Sequence, residues 1–230
     1  MLTPASASVA EPGHPSTPRE RADLALLSSF VRFRRGEQLY REGDRIDALF
    51  NIVTGIVKSY TTPPDGNQHI IAFAFPDDLV GLAQGRTHTT SAEALTAVTA
   101  YRMPMTAIDA RLRSDPELEF YLICQLSHEL HQAQRHALLL SRHRAITRIG
   151  LFLQMLEAQQ PAQRGSSPEI YLPMKRSDIG AYVGISLEAV GRSFRTLANR
   201  GAIVVRDRRH IRIINRAALE AAIFDGKRRR

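Results

Sequence analysis

The sequence predicts an α+β chain in three parts: an N-terminal β-roll, a long helix and a C-terminal winged helix-turn-helix. Three observations carry this reading. Short strand-like runs punctuated by glycine fill the first half, and apolar residues recur every three or four positions from Leu118 to Leu140. Basic charge is concentrated at the end. Residues 171–230 hold 14 Lys+Arg against 5 Asp+Glu, whereas the whole 230-residue chain is only +8, so the remainder is slightly acidic. A positive field confined to one region is what a polyanion-binding module requires.

The opening MLTPASASVAEPGHPSTPRE is rich in Pro, Ala and Ser and has neither a basic start nor an apolar core. Residues 1–22 are expected to be a disordered tail. The β-roll is assigned to 23–113. A short helix is expected over Leu24–Phe30, then strands broken at Gly36, at Gly43 with Asp44, and at Gly55, where a tight turn separates Phe50 and Ile52 from Ile56 and Val57. The PPDG turn ending at Gly66 leads into a strand in which Ile71, Phe73 and Phe75 alternate inward. In the later roll Arg86 reads either as an anion ligand or as a solvated loop arginine. The histidines, including His128 and His131 on what reads as a polar helix surface, form no recognisable metal spacing, so no metal and no cofactor are expected.

Asp115 suits a helix cap and Pro116 the first turn, which opens a helix in the stretch 114–142. Its stripe of Leu118, Leu122, Leu126, Leu130, Ala133, Ala137 and Leu140 is long and narrow, as in a seam shared with a second copy. A homodimer is expected. Ser141–Arg144 reads as a hinge into the last domain, 143–226. There a helix over Ala145–Ala158 carries Ile149, Phe152, Leu153 and Leu156 on its core side, followed by a loop from Gln159 and a short strand at Ile170–Leu172.

The most informative stretch is MKRSDIGAYVGISLEAVGRSFRTL, Met174–Leu197. Arg176–Val183 reads as a short helix stopped by Gly184, and Ser186 caps a second helix beginning at Leu187. Val190, Phe194 and Leu197 give that second helix a buried face. Glu188 and Arg192, one turn apart, lie on a neighbouring open face. An ordinary helical hairpin with a surface ion pair has the same pattern. The residues after Gly201 favour the helix-turn-helix: two β-rich runs, AIVV and IRII, flank the charged turn RDRRH and make a wing. The terminal KRRR, 227–230, is a basic tail.

The single Cys124 excludes an intramolecular disulfide framework, and a cytoplasmic location is the default. No apolar run is long enough for a membrane span. Neither a nucleophile with its base nor a pair of acids is placed by the sequence, so the chain does not read as an enzyme.

In RRGEQLYREGD, PDDLVGL and MKRSDIGAYVGISLEAVGRSFRTLANRGAI the chain resembles the cyclic-AMP receptor and fumarate/nitrate-reduction regulator superfamily, from about Leu24 to Leu219 and with FixK-like regulators nearest. The resemblance implies a cyclic-nucleotide-binding-like β-roll and a homodimer that binds double-stranded DNA at an inverted repeat, with RNA polymerase as a further partner. It implies an activator of microoxic, nitrogen-fixation or anaerobic-respiration genes reading TTGA-N6-TCAA. Leu187, Glu188, Gly191 and Arg192 stand at its base-reading positions. Arg has the donor geometry for guanine and Glu the acceptor for cytosine. Ser177, Ser186, Arg195, Arg208 and Arg209 are phosphate candidates. The N-terminal cysteine cluster of the oxygen-sensing branch is missing, Lys175 replaces an oxidisable cysteine of some relatives, and PDDLVGLAQGRTHTTSAEAL lacks the nucleotide-binding pairs. An effector-gated regulator sensing another ligand in its roll is the alternative.

Overall fold

The computed structural model describes residues 28–64, 66–83, 85–160 and 169–224. The expected tail at 1–22, most of the loop after Gln159 and the basic tail at 227–230 lie outside the described residues. An N-terminal β-sheet domain precedes a helical C-terminal domain, joined by a long helix. Eight strands build the first part: β1 (Ser29–Phe33), β2 (Gln38–Tyr40), β3 (Ala48–Thr54), β4 (Val57–Thr61), β5 (His69–Ala74), β6 (Leu79–Val80), β7 (Ser91–Ala94) and β8 (Val98–Pro104). They form two antiparallel four-stranded sheets, ordered β1-β8-β3-β6 and β2-β7-β4-β5.

Strand β3 shows why two faces must be covered. Ala48, Phe50 and Ile52 point into the space between the sheets, where they meet Val57, Ala92, Val98 and Ala100. The alternate Leu49 points the other way, into a second core with Leu79, Met103, Ile108, Leu118 and Tyr121. That second core is closed by α1 (Met105–Leu112) and by the first turns of α2 (Pro116–Leu140). Asp115 caps α2 by accepting from the Leu118 amide at 3.0 Å, with Pro116 in the first turn. The buried Asn51 donates to the Tyr121 hydroxyl at 3.1 Å, tying the sheet to α2 through a satisfied polar group.

The C-terminal domain contains α3 (Ala145–Gln159), β9 (Ile170–Tyr171), α4 (Arg176–Val183), α5 (Leu187–Asn199), β10 (Ile203–Val205), β11 (His210–Ile213) and α6 (Arg216–Phe224). Ile149, Phe152, Leu153 and Leu156 of α3 are fully buried at its centre. The wing is a three-stranded antiparallel sheet, β10-β11-β9.

Three expectations are corrected. Ser29 and Phe30 lie in β1, not in a helix. From Phe30 to Phe33 the residues alternate, Val31 and Phe33 turning toward the intersheet core, and β8 offers this segment a full antiparallel register. Phe73 in β5 and Phe75 just after it are buried, but against the helical domain; the β5 residue between the sheets is Ala74, Ile71 is 46% exposed, and Ile70 is buried on the side of Phe73. The cause is a bulge: Ser59 pairs with Ala72 and Tyr60 with Ile70, leaving Ile71 unpaired and reversing the phase of the strand. Finally, Leu118 at the start of the apolar stripe is taken up by the chain's own core, and Leu122 packs beside it. Helices α1 and α6 carry no clear signal in the sequence; α1 buries Ile108 alone.

Gly55 turns β3 into β4 at φ 91°, and a Cβ built there falls 2.3 Å from the Ala97 carbonyl oxygen. Both the backbone conformation and the space exclude a side chain. Gly36 shares the positive φ but has open space around it. Gly55→Ala should therefore destabilise by about 2–4 kcal/mol and Gly36→Ala by about 1 kcal/mol, read as shifts in chemical-denaturation midpoint.

Candidate nucleic-acid interface

Helix α4 begins where Asp178 accepts from the Lys175 backbone amide at 3.0 Å, and it ends at Gly184, whose φ of 66° reverses the chain. Gly180 allows the two helices to approach. A Cβ there would lie 2.7 Å from the Ile185 carbonyl oxygen. Arg148 of α3 completes the turn: one guanidinium nitrogen donates to the Val183 and Gly184 carbonyls at 2.9 and 2.8 Å, and its Nε donates to the Arg142 carbonyl at 2.6 Å. The carbonyls left over at the end of α4 are thereby satisfied, and the turn is fastened to the chain just after α2.

Ser186 caps α5 by accepting from the Ala189 amide at 3.3 Å, worth about 1 kcal/mol. Val190, Phe194 and Leu197 are buried, each contributing about 1.5–3 kcal/mol. This burial fixes the rotation of α5. Its opposite face therefore presents Leu187, Glu188, Gly191, Arg192 and Arg195 to solvent, the first four grouped in the first turn and a half. The Glu188 carboxyl is held below the usual range by the Ser186 hydroxyl, then by its own backbone amide, with Arg192 adding a smaller pull. It is thus an ionised acceptor beside an open guanidinium.

Ser177 is exposed in the first turn of α4. Arg208 and Arg209 are exposed at the tip between β10 and β11. Asp207 shapes that tip: its Oδ1 accepts from the Arg209 and His210 amides at 2.6 and 2.9 Å, and its Oδ2 lies 2.8 Å from His210 Nδ1. The Arg209 amide and the His210 ring hold the Asp207 carboxyl low. Sequence reasoning took RDRRH only as a charged turn and missed this role, although Asp at the head of a turn is a recognisable signal. It also missed Arg148, whose partners are carbonyls distant in sequence.

On α2, exposed apolar residues begin at Phe120 and Ile123 and continue through Leu126, Leu130, Leu138 and Leu140, with Ala133 and Ala137 also open. Behind this face lies a cavity of about 300 Å³ between β5 and α2, bounded by Phe73, Thr90, Asp78, His128, Glu129 and Tyr182. His128 Nε2 stands 3.4 Å from Asp78 Oδ1, so His128 belongs to a cavity wall and not to a plain polar surface. No lysine or arginine lines the cavity among the described residues. Arg86 is exposed and borders a different depression with Arg45 and Asp109. Among the described residues no group of three or more His, Cys, Asp or Glu could hold a metal ion, and no helix is long and apolar enough to cross a membrane.

A two-helix reader with a wing, carried behind a β-sheet domain and a long helix, defines a DNA-binding regulator. Residues 30–115 match the cyclic nucleotide-binding domain family, and residues 147–222 match the Crp-like helix-turn-helix domain family. The chain is similar to the nitrogen fixation regulation protein FixK of Bradyrhizobium diazoefficiens, 33% identical over 186 residues that cover 81% of this chain and 78% of that protein. It is equally similar to the transcriptional activator Anr of Pseudomonas aeruginosa, at 33% over 187 residues, 79% of this chain and 77% of that one. Among solved structures, FixK2 from Bradyrhizobium japonicum superposes with a TM-score of 0.78 at 31% identity, over 85% of this chain and 96% of that chain. The chain belongs to the CRP/FNR superfamily of transcription regulators and is closely related to the FixK and Anr type. Membership of these non-catalytic regulators agrees with its reading as no enzyme.

Burial, followed by the neighbouring Asp78, pushes the Glu129 carboxyl up from 4.5 to about 7, while Asp78 raises His128. The cavity wall crowds the Glu129 side chain, but part of it still reaches water, so screening reduces what this is worth to stability. The sign is definite. A carboxyl whose folded pKa is raised binds a proton on folding, and its contribution, full below pH 4.5, is lost as pH rises through about 7. Burial lowers His88 and His136, which pull the other way, so the measurable sign is the difference: between pH 5 and pH 8 the urea midpoint of Glu129→Gln should fall less, or rise more, than that of the parent chain.

Proposed function

We propose that the chain is a homodimeric transcription activator that binds a TTGA-N6-TCAA-like inverted repeat. The observation that carries this is the exposed Glu188 and Arg192 pair, held one turn apart on a helix whose other face is locked in the core. Arg192 donates to guanine O6 and N7, and Glu188 accepts from cytosine N4, so that one G·C pair of each half-site is read. Leu187 packs on a thymine methyl, and Gly191 leaves the neighbouring position without a side-chain contact. Arg195, Arg208, Arg209 and Ser177 hold phosphates. Ser186 contributes more as the cap of α5 and the partner of Glu188 than as a phosphate ligand.

The second copy docks along α2. Ile123, Leu126, Leu130, Ala133, Ala137 and Leu140 repeat at alternating intervals of three and four, the spacing of a coiled-coil seam, and all are exposed in the single chain. The two recognition helices then fall in successive major grooves. The sheets act as a closed β-roll at 23–113, and the reading domain, 143–226, hangs from the helix. Similarity to a nitrogen fixation regulation protein and to a transcriptional activator supports activation and nitrogen-fixation targets; microoxic or anaerobic-respiration genes, RNA polymerase as partner and the cytoplasm as location complete the proposal. A second reading, gating by an effector, is favoured by the cavity walled by Asp78, His128 and Glu129. DNA binding by protein stripped of small molecules separates the two, because only an ungated dimer is active then.

Competition gel shifts should show an inverted-repeat promoter fragment displacing the protein from random duplex at physiological salt; equal competition by random duplex refutes the proposal. Arg192→Ala should cost about 1–3 kcal/mol on that site and flatten discrimination at the G·C pair. Arg208→Ala should instead weaken cognate and random DNA alike and lower the salt slope by about one.

A further inference from the structure

Lys58 in β4 is 6% exposed, and burying a lysine so deeply is costly unless partners compensate. Three partners belong to the β-sheet domain: Gln68 Oε1 at 3.2 Å from its Nζ, Glu93 Oε2 at 3.5 Å, and the Tyr60 ring with its centroid at 4.9 Å. The fourth is Asp178 Oδ1 at 3.8 Å. Asp178 is itself buried, and its other oxygen caps α4, the first helix of the helix-turn-helix. A cation of the β-sheet domain is thus set against the opening turn of the DNA-reading unit.

The surroundings show that this contact is part of a built joint. Phe73 of β5 lies 5.0 Å from the Tyr182 ring and 6.2 Å from Phe152. Tyr182 stacks flat on His136 of α2, with centroids 4.0 Å apart and planes within 1°, while His136 Nε2 is 2.7 Å from the Tyr182 carbonyl oxygen. Sheet, long helix and reading domain meet at one place. The face bearing Leu187, Glu188 and Arg192 is exposed and takes no part in the joint.

A dimer reading two half-sites at once must hold its recognition helices about 34 Å apart, and a connection as short as Ser141–Arg144 does not by itself set the angle between domains. Loss of that angle removes the gain from simultaneous engagement without changing how one helix reads one half-site. We propose that Lys58 is a positioning residue for DNA reading: paired with Asp178, it fixes the angle of the helix-turn-helix on the β-sheet domain and so the half-site spacing the dimer accepts. This role rests on the chain's reading an inverted repeat as a dimer.

The test uses full-length Lys58→Met, which keeps the side chain's length and removes its charge, and Asp178→Asn, which keeps an oxygen to cap α4. Affinity is measured for one half-site and for inverted repeats with spacers of four to eight base pairs, and tryptic cleavage after Arg142 and Arg144 is followed by mass spectrometry. Both variants should bind the single half-site within about twofold of the parent chain and lose about tenfold of its preference for the best spacer. Both should also be cut faster at the hinge. The double variant should be no worse than either single one, as expected for residues acting through one contact. Unchanged spacer preference with unchanged hinge cleavage overturns the proposal. If Lys58→Met does not fold, as judged by circular dichroism, the same two outcomes for Asp178→Asn decide. If the parent chain prefers no inverted repeat, the DNA reading fails, and hinge cleavage alone decides whether Lys58 holds the domains together.

Discussion

The burial of one face of α5 is the constraint on which the functional surface depends. Val190, Phe194 and Leu197 can reach the α3 core only if α5 sits at one rotation, and that rotation turns Leu187, Glu188, Gly191 and Arg192 outward. The same core extends without a break through Phe152 and Tyr182 to Phe73, Ile70 and Tyr60 under the second sheet. The exposed face of α5 is therefore oriented relative to the whole molecule and not merely to its own domain. A recognition helix packed less completely would keep the same side chains but hold them less firmly, which matters when bidentate contacts require alignment.

The C-terminal domain was legible because its signals are local. A glycine at the end of α4, a serine cap before α5 and apolar residues at helical spacing each act within a turn or two, and the observed bounds Arg176–Val183 and Leu187–Asn199 follow from them. The β-sheet domain was legible only in outline. Gly55 marks its turn unmistakably, yet whether Ile70 or Ile71 is buried against the helical domain depends on a bulge set by pairing with Ser59 and Tyr60, residues in another strand. No pattern within HIIAFA encodes that choice.

Helix α2 shows a different kind of limit. Its apolar residues belong to two stripes that share the first turns: Leu118, Tyr121 and Leu122 cover the β-sheet domain, while Phe120, Ile123, Leu126 and Leu130 face outward. Spacing of three and four fits either set, so the sequence merged them into one seam and put Leu118 on the wrong side. Where the helix leaves the β-sheet domain only the outer stripe keeps its regular spacing, and there Leu126, Leu130, Ala133, Ala137 and Leu140 of the expected seam lie on the exposed face. The wing was assigned from its flanking β-rich runs, but the ordering of its tip by Asp207 rests on hydrogen bonds within four residues that composition alone does not rank.

Charge separates the two halves of the molecule as clearly as packing joins them. The reading domain carries the basic excess, and two of its acidic residues are tied to structural tasks: Asp178 caps α4 and Asp207 folds the wing tip. Glu188 is the acid exposed within the proposed reading face, where an ionised carboxylate repels phosphate, a cost that the proposed acceptor role would offset. The cavity beside α2 has the opposite character, with Asp78 and Glu129 on its wall and no lysine or arginine among the described lining residues. A cyclic phosphate placed there would meet carboxylates where it needs a cation. The fold of a nucleotide-binding domain is thus present while the electrostatics of its cavity do not suit an anion, and in the proposed reading what that fold supplies is the mechanical link from sheet to α2 to the helix-turn-helix.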